Sequence, residues 1–297
     1  MEKCPWDGKL CDLGCKGYKE KIISLLKNNN YRGNMISPGG REFIFDKFTI
    51  YVGDMCTKND YERLKKELNL HKEINMKNYT DVTMILDRSG SMESFKQDVI
   101  GGFNNFVKEQ QRDKEKMTLS LIQFDDKYEE VYISEDINNV QLLSDETYVP
   151  RGLTSLRDTI GRTISSLGER LKNMDESERP EKVIVMIQTD GFENSSKEYN
   201  QKQIKEMIQH QEEKYNWKFI FLGAGLDVAA QSINIGININ NTLAFGNNSN
   251  GYDAMYSSIS RSVSNLKKMD VNSYNSSVVF SDKDKEDVEE TLRDERS

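Results

Sequence analysis

Several residue types and patterns are scarce in this chain of 297 residues, and each scarcity excludes a class of protein. The two histidines, His71 and His210, are far from the serine-rich turns, and no GxSxG turn occurs, which argues against a Ser-His hydrolase. No GxxxxGK phosphate-binding loop occurs either. The longest apolar run, residues 183–187, is much shorter than the ~20 residues of a membrane-spanning helix. The sequence therefore predicts no transmembrane segment.

Composition and charge narrow the class of protein further. The first seven residues contain no apolar signal core, so the sequence predicts a cytoplasmic protein. Hydrophobic residues make up 36% and charged residues 30%, with a mean hydropathy of −0.72, so the chain is polar but can still bury a core. The net charge of −8 divides into +4 for residues 1–79 and −12 for the remainder. An acidic body argues against binding to the phosphates of nucleic acids.

Cysteine is confined to the beginning of the chain, and this asymmetry predicts a small head, residues 1–79, distinct from the body. The four cysteines are Cys4, Cys11, Cys15 and Cys56. Together, with or without His71, they are candidate ligands of a zinc site that would stabilise a small core. Free thiols packed in that core are an equal alternative. A disulfide is the third, less favoured because a chain without a signal peptide is expected in a reducing compartment.

From about residue 80 the pattern alternates between apolar runs and helical stripes. Runs typical of strands occur at 82–86, 119–124, 131–134, 183–189 and 219–222, with a short edge strand at 243–245. Helical stripes occur at 95–106, 156–171, 204–211 and 252–266. Residues 80–270 are therefore predicted to form an α/β domain, with a mostly parallel sheet covered on both faces. Residues 271–297 read as a polar acidic tail, a solvated helix or a disordered segment.

Polar turns follow two of the predicted strands, and a third polar turn opens the helix between them. The turns read DRSGSM at 87–92, RGLTSL at 151–156 and TDG at 189–191. Ligands of parallel sheets bind beyond the carboxyl ends of the strands, so the polar side chains of these turns are predicted to meet. The predicted site consists of Asp87, Ser89, Ser91, Thr154 and Asp190. Two carboxylates and three hydroxyls suit Mg²⁺, Mn²⁺ or Ca²⁺ rather than zinc.

Each turn taken alone has an ordinary structural interpretation as an Asx-turn or a helix cap. Their occurrence together, in this order, favours a site. Arg88, beside the predicted site, is expected either to lie in solvent or to add attraction for an acidic partner. Residues 223–225 faintly match a dinucleotide-binding loop, but the third glycine and the later acidic residue are missing, so a plain strand-to-helix turn is predicted.

The order DxSxS, T, D resembles the metal-ion-dependent adhesion site of the von Willebrand factor A (vWA) domain. The resemblance covers residues 80–270, and the wordings DRSGSM and TDGFENS are similar to the intracellular prokaryotic or viral branch of that family. It implies a doubly wound sheet of six strands with one antiparallel edge strand. It also implies that Ser89, Ser91 and Thr154 contact the metal directly, with Asp87 and Asp190 close behind, often through water.

The resemblance implies binding rather than catalysis. Neutral hydroxyls leave much of the cation's charge available to attract an Asp or Glu carboxylate of a partner protein. The leading hypothesis is therefore a metal-dependent adaptor or scaffold module, without enzyme activity and with no membrane or nucleic-acid partner. One alternative is an accessory subunit of an AAA+ ATPase machine, because some proteins that the chain resembles work beside such ATPases. A metal-dependent hydrolase is the other alternative.

Overall fold

The computed structural model describes residues 79–225 and 227–294, the strand residues 32–33, 41–44 and 49–52, and the helical residues Arg63 and Lys66. The chain divides into two compact units, Met1–Met76 and Lys77–Ser297. In the first unit, an antiparallel sheet has the strand order β1-β2-β3. These strands are β1 (Arg32–Gly33), β2 (Arg41–Ile44) and β3 (Thr49–Val52). Strands β2 and β3 pair over their full length, with Arg41 opposite Val52 and Ile44 opposite Thr49.

The second unit is built around a six-stranded sheet with the strand order β6-β5-β4-β7-β8-β9. Its strands are β4 (Tyr79–Asp87), β5 (Lys116–Phe124), β6 (Tyr128–Asp136), β7 (Lys182–Thr189), β8 (Lys218–Ala224) and β9 (Thr242–Phe245). Neighbouring strands are parallel except for β5 and β6, which are antiparallel. The predicted α/β fold, with a mostly parallel sheet and one antiparallel edge strand, is confirmed.

Helices cover both faces of this sheet. They are α1 (Lys96–Arg112), α2 (Leu156–Asn173), α3 (Gln201–Tyr215), α4 (Val228–Asn234), α5 (Ser249–Lys268), α6 (Val271–Ser276) and α7 (Asp282–Asp294). Two 3-10 turns, Gly90–Phe95 and Ile239–Asn241, occur in the same unit. In the part of the chain that the structure describes, no helix has the length and apolar character needed to cross a lipid bilayer.

The sheet is buried because successive side chains of its central strands point to opposite faces, and both faces are covered. On β4, Val82, Met84 and Leu86 face a core that includes side chains of α1 and α5. Ile85 faces the other core, which includes side chains of α2 and α3. Both cores consist of packed hydrophobic side chains.

The order of the strands determines where the sheet can form a binding crevice. From β4 the chain continues to β5 on one side, and β7 pairs with β4 on the other side. The register pairs Leu86 with Gln188, so the chain leaves β4 at Asp87 beside the point where it leaves β7 at Thr189. This is the position where strand order reverses, and open parallel sheets form their binding crevice there.

The end of the chain differs from the predicted polar tail. Helix α7 contacts β9 and α5, and Val288 is buried. The Asp284 carboxylate accepts a hydrogen bond from Arg261 at 2.7 Å, and Thr291 Oγ1 accepts one from the Gly246 amide at 2.9 Å. Tyr274, Val279, Phe280 and Val288 are all buried in one hydrophobic core, but their spacing does not form a helical stripe that the sequence would reveal. The described residues of this segment, 271–294, are therefore part of the folded body.

Candidate metal centre

The predicted site residues come from the ends of β4 and β7 and from the segment before α2. Asp87 is the last residue of β4 and is fully buried, and Ser89 behind it is 2% exposed. Ser91 lies in the exposed first turn of the 3-10 segment, and Asp190 follows the last residue of β7. Thr154 lies two residues before α2 and is 3% exposed. The site therefore runs from the interior outward to the surface.

Hydrogen bonds connect four of the five predicted residues. The Ser89 amide donates to Asp87 Oδ1 at 2.7 Å, and the hydroxyls of Ser89 and Ser91 lie 3.1 Å apart. Ser91 Oγ donates to Asp190 Oδ1 at 2.7 Å. On the other side, Thr189 Oγ1 donates to Asp87 Oδ2 at 2.5 Å. Residues 102 positions apart in the chain are thus joined in one polar cluster.

Gly191 brings Thr154 into the same cluster. A Cβ atom at Gly191 would lie 3.3 Å from Thr154 Oγ1 and 3.7 Å from Ser91 Oγ. These two hydroxyls therefore border the space that a side chain at position 191 would occupy. A glycine keeps that space open, which is what a bound ion and its water would require.

The two carboxylates are in an environment that disfavours their charged forms. Burial and, to a smaller extent, the charge of Asp190 raise the pKa of Asp87 to about 6, against the hydrogen bonds from Thr189 and Ser89. Burial also raises the pKa of Asp190, against the hydrogen bond from Ser91. No ion pair within the described residues joins either carboxylate to a lysine or arginine. A divalent cation would supply the missing positive charge.

The donor set fits a hard cation. Within the described residues, no group of three or more His, Cys, Asp and Glu side chains could hold a metal ion. The predicted site is of a different kind, because three of its five donors are neutral hydroxyls. Oxygen donors of this sort suit Mg²⁺, Mn²⁺ or Ca²⁺. The four cysteines and His71, the candidate zinc ligands, lie outside the described residues.

The environment of Arg88 differs from both predictions that were made from the sequence. Its side chain is 5% exposed, so it is neither solvated nor available to a partner. Its Nε lies 3.2 Å from Asp125 Oδ2, and its Nη2 lies 2.6 Å from Glu129 Oε2. Its Nη1 donates to Gln123 Oε1 at 3.2 Å. The expectation was wrong because Asp125, directly after β5, and Glu129, on β6, place two carboxylates against a residue that was predicted to lie at the surface.

Asp125 is a site-building residue that the sequence reasoning missed. Its Oδ2 pairs with Arg88 and, at 2.8 Å, with Arg151 Nε. Its backbone carbonyl accepts hydrogen bonds from Ser155 N at 3.0 Å and Ser155 Oγ at 2.6 Å. Asp125 thus ties the end of β5 to the turn after β4 and to the segment that carries Thr154. A signal did exist, since Asp125 directly follows a predicted strand at the same edge of the sheet.

The family assignment follows from a sequence comparison. The model of the von Willebrand factor type A domain matches residues 81–252, more than half of the chain. The chain belongs to the von Willebrand factor type A domain family. All five predicted site residues of this VWA domain lie within the matched segment.

Three solved structures are similar to this chain at low sequence identity. Proximal thread matrix protein 1 from the mussel byssus, solved with a zinc occupied MIDAS motif, is 17% identical with a TM-score of 0.45, over 71% of this chain and 52% of that one. The ArnB paralog VWA2 from Sulfolobus acidocaldarius is 17% identical with a TM-score of 0.41, over 62% and 45%. The pilus adhesin SpaC from Lactobacillus rhamnosus GG is 13% identical with a TM-score of 0.48, over 63% and 30%.

The VWA chain thus spans about half or less of the length of these structures. No curated protein sequence matches it.

Proposed function

We propose that this VWA domain is a metal-dependent protein-binding module that acts as an adaptor or scaffold. A Mg²⁺-type cation would be held by Asp87, Ser89, Ser91, Thr154 and Asp190 and would capture a carboxylate of a partner protein. The observation that carries the proposal is the all-oxygen cluster beside Gly191, whose two carboxylates have raised pKa values and no basic partner within the described part of the chain.

The chemistry of the cluster supports binding rather than turnover. When bound, the cation supplies a concentrated positive charge that attracts an anionic oxygen. The chain's own hydroxyls are neutral donors and leave most of that charge uncompensated. Thr189 and the Ser89 amide hold the Asp87 carboxylate in one orientation. The described residues offer no histidine near the cluster to act as a base, so we propose no catalytic step.

Two exposed apolar side chains beside the cluster favour a protein partner. Leu153 precedes Thr154 and is 55% exposed, and Phe192 follows Gly191 and is 63% exposed. Because a Cβ atom at position 191 would lie only 3.3 Å from Thr154 Oγ1, the segments that carry Leu153 and Phe192 approach each other at this surface. An aromatic anchor at the centre of an interface typically contributes much of the binding energy. The acidic body, with a charge of −12 outside residues 1–79, does not favour nucleic acid.

The partner class is accordingly a protein segment with an acidic residue next to apolar side chains. Cytoplasmic localisation and the intracellular prokaryotic or viral type of VWA domain stay predictions from the sequence.

Substitution of Thr154 by alanine tests the proposal. We expect Thr154→Ala to weaken the partner complex by about tenfold or more, ~1.4 kcal/mol, because one hydroxyl at the cation is lost. Circular dichroism and cooperative melting are expected to stay close to wild type, since the two cores do not include the cluster. The measurement is capture of proteins on the immobilised chain in Mg²⁺ and in EDTA, followed by affinity titration of a retained partner.

Thr154→Ser is the matched variant, because it keeps the hydroxyl and loses only a methyl group. It is expected to bind the partner nearly as tightly as wild type. Full-affinity binding in EDTA, or global unfolding of Thr154→Ala, would show that the cluster is structural and that partners bind elsewhere.

Substitution of Phe192 tests the apolar surface separately. Phe192→Ser is expected to weaken the partner complex by about tenfold or more while leaving Mg²⁺ affinity unchanged, since its ring would contact the partner and not the ion. Tyr215→Ser is the control, because Tyr215 is 54% exposed at the end of α3, toward the opposite edge of the sheet. Equal partner affinity in the two variants would remove Phe192 from the interface.

A further inference from the structure

Thr154 lies in the segment just before helix α2, and this end of the helix has no side-chain cap of its own. Helix α2 begins at Leu156, and its N-cap residue Ser155 makes no side-chain capping bond. The amides of the first turn are instead satisfied from another part of the chain. Glu193 Oε2 accepts from Arg157 N at 2.8 Å, and Ser196 Oγ accepts from Asp158 N at 3.1 Å. The turn after β7 therefore caps α2.

Within that turn, Asn194 contacts both backbone groups of Thr154. Asn194 Oδ1 accepts a hydrogen bond from Thr154 N at 2.9 Å. The Asn194 amide donates to Thr154 O at 3.1 Å, and the Ser195 amide donates to the same oxygen at 3.2 Å. Thr154 is thus held at its amide and at its carbonyl by residues 40 and 41 positions away in the chain.

The turn that holds Thr154 is itself fixed. Glu193 Oε1 accepts from the amides of Ser195 at 2.9 Å and Ser196 at 2.7 Å. From α2, the Asp158 carboxylate accepts from three successive amides of the turn, those of Lys197, Glu198 and Tyr199, at 2.7 to 2.9 Å. The start of α2 and the turn after β7 are therefore held together by hydrogen bonds in which side chains of each segment accept from backbone amides of the other.

We infer that Asn194 is a positioning residue, which holds Thr154 so that its hydroxyl borders the space beside Gly191 in the candidate metal centre. The inference rests on the proposed function, because it assigns Asn194 a role toward the same cation. Asn194 acts through the backbone of Thr154. The Asn194 side chain is exposed, so we expect it to contribute little to the stability of the fold as a whole. Its effect on the position of the Thr154 hydroxyl is expected to be larger, because it bonds directly to the Thr154 backbone.

The test compares Mg²⁺ affinity and amide exchange in variants of the full chain. By calorimetry, Asn194→Ala is expected to lower Mg²⁺ affinity about tenfold, while melting changes by only a few degrees. Hydrogen exchange of the Thr154 amide is expected to accelerate in the same variant without any metal. Asn194→Asp retains the acceptor oxygen and is expected to restore both. Because Asn194→Asp also adds a negative charge, its Mg²⁺ affinity is measured at low and at high salt. High salt screens the effect of the added charge, so a rescue that persists there is due to the hydrogen bond.

Asn200→Ala is the matched control. Asn200 Oδ1 caps α3 by accepting from the Gln203 amide at 3.0 Å, so the variant loses a similar hydrogen bond near the same turn. It does not contact Thr154, and its Mg²⁺ affinity is expected to equal that of wild type. Unchanged affinity in Asn194→Ala, with wild-type binding intact, would overturn this inference alone. A wild-type chain that binds no Mg²⁺ would overturn the proposed function and the inference with it.

Discussion

Asp125→Ala is expected to lower the free energy of unfolding by about 3 kcal/mol at pH 7, because it leaves a buried arginine without its one fully buried carboxylate partner among the described residues. Arg88 is 5% exposed and Asp125 is fully buried, so solvent cannot replace the lost carboxylate. Glu129 still contacts Arg88 and limits the loss. The hydrogen bond that Asp125 Oδ1 accepts from the Lys127 amide, at 2.7 Å, is lost as well.

The effect of Asp125→Ala is expected to depend on pH. Burial alone would raise the pKa of Asp125, but the hydrogen bonds from Arg151 and Lys127 and the charge of Arg88 hold it below its usual value. A carboxyl whose pKa is lowered by folding stabilises the fold above its unfolded pKa, and this contribution is lost as the pH falls through the folded pKa. The free energies of unfolding of wild type and variant are therefore expected to differ at pH 7, and this difference is expected to shrink below about pH 4.

Urea unfolding at several pH values provides the measurement, and Asp126→Ala is the matched control. Asp126 is the neighbouring residue and is exposed, so its removal is expected to change stability by less than about 0.5 kcal/mol. Equal stabilities of the two variants at pH 7 would show that the Arg88–Asp125 pair contributes little to the fold.

The double substitution Ser89→Ala with Ser91→Ala is expected to lower Mg²⁺ affinity at least about a hundredfold, ~2.7 kcal/mol. Two of the three hydroxyls of the cluster are removed together, and Asp190 loses the 2.7 Å hydrogen bond that orients it. Neither alanine adds a charge or a bulky group, so the fold is expected to persist. Isothermal titration calorimetry with Mg²⁺, and separately with Mn²⁺ and Ca²⁺, measures the loss and identifies the preferred ion.

Thermal stability gives an independent measure of the same site. A ligand that binds only the folded chain stabilises it by about 2.7 kcal/mol at a hundred times its dissociation constant. Mg²⁺ is therefore expected to raise the melting temperature of the wild type and to leave the double variant unchanged. Ser94→Ala, an exposed serine of the same 3-10 turn, is expected to respond as the wild type does. If calorimetry shows that the double variant binds Mg²⁺ with the affinity of the wild type, Ser89 and Ser91 are excluded as ligands.

Much of the architecture could be predicted because it depends on patterns within short segments. Apolar runs such as residues 82–86 and 183–187 are typical of strands buried on both faces, and the structure has strands there. The turn from Asp87 to Ser91 is also local, since three candidate donors lie within five residues. Asp190 follows a predicted strand, so the known behaviour of parallel sheets placed it at the same edge. The ligand role of each of these residues stays a prediction.

Only the tertiary structure showed what holds the candidate site together. Arg88 is buried because Asp125 and Glu129 approach it from positions 37 and 41 residues later, and Asn194 reaches Thr154 across 40 residues. Hydrogen bonds between segments so far apart leave no periodic pattern in the sequence. They form because the order of strands in the sheet brings the ends of β4, β5 and β7 to one edge. The identity of candidate donors is thus a local property of this chain, whereas their positioning is decided by packing between distant segments.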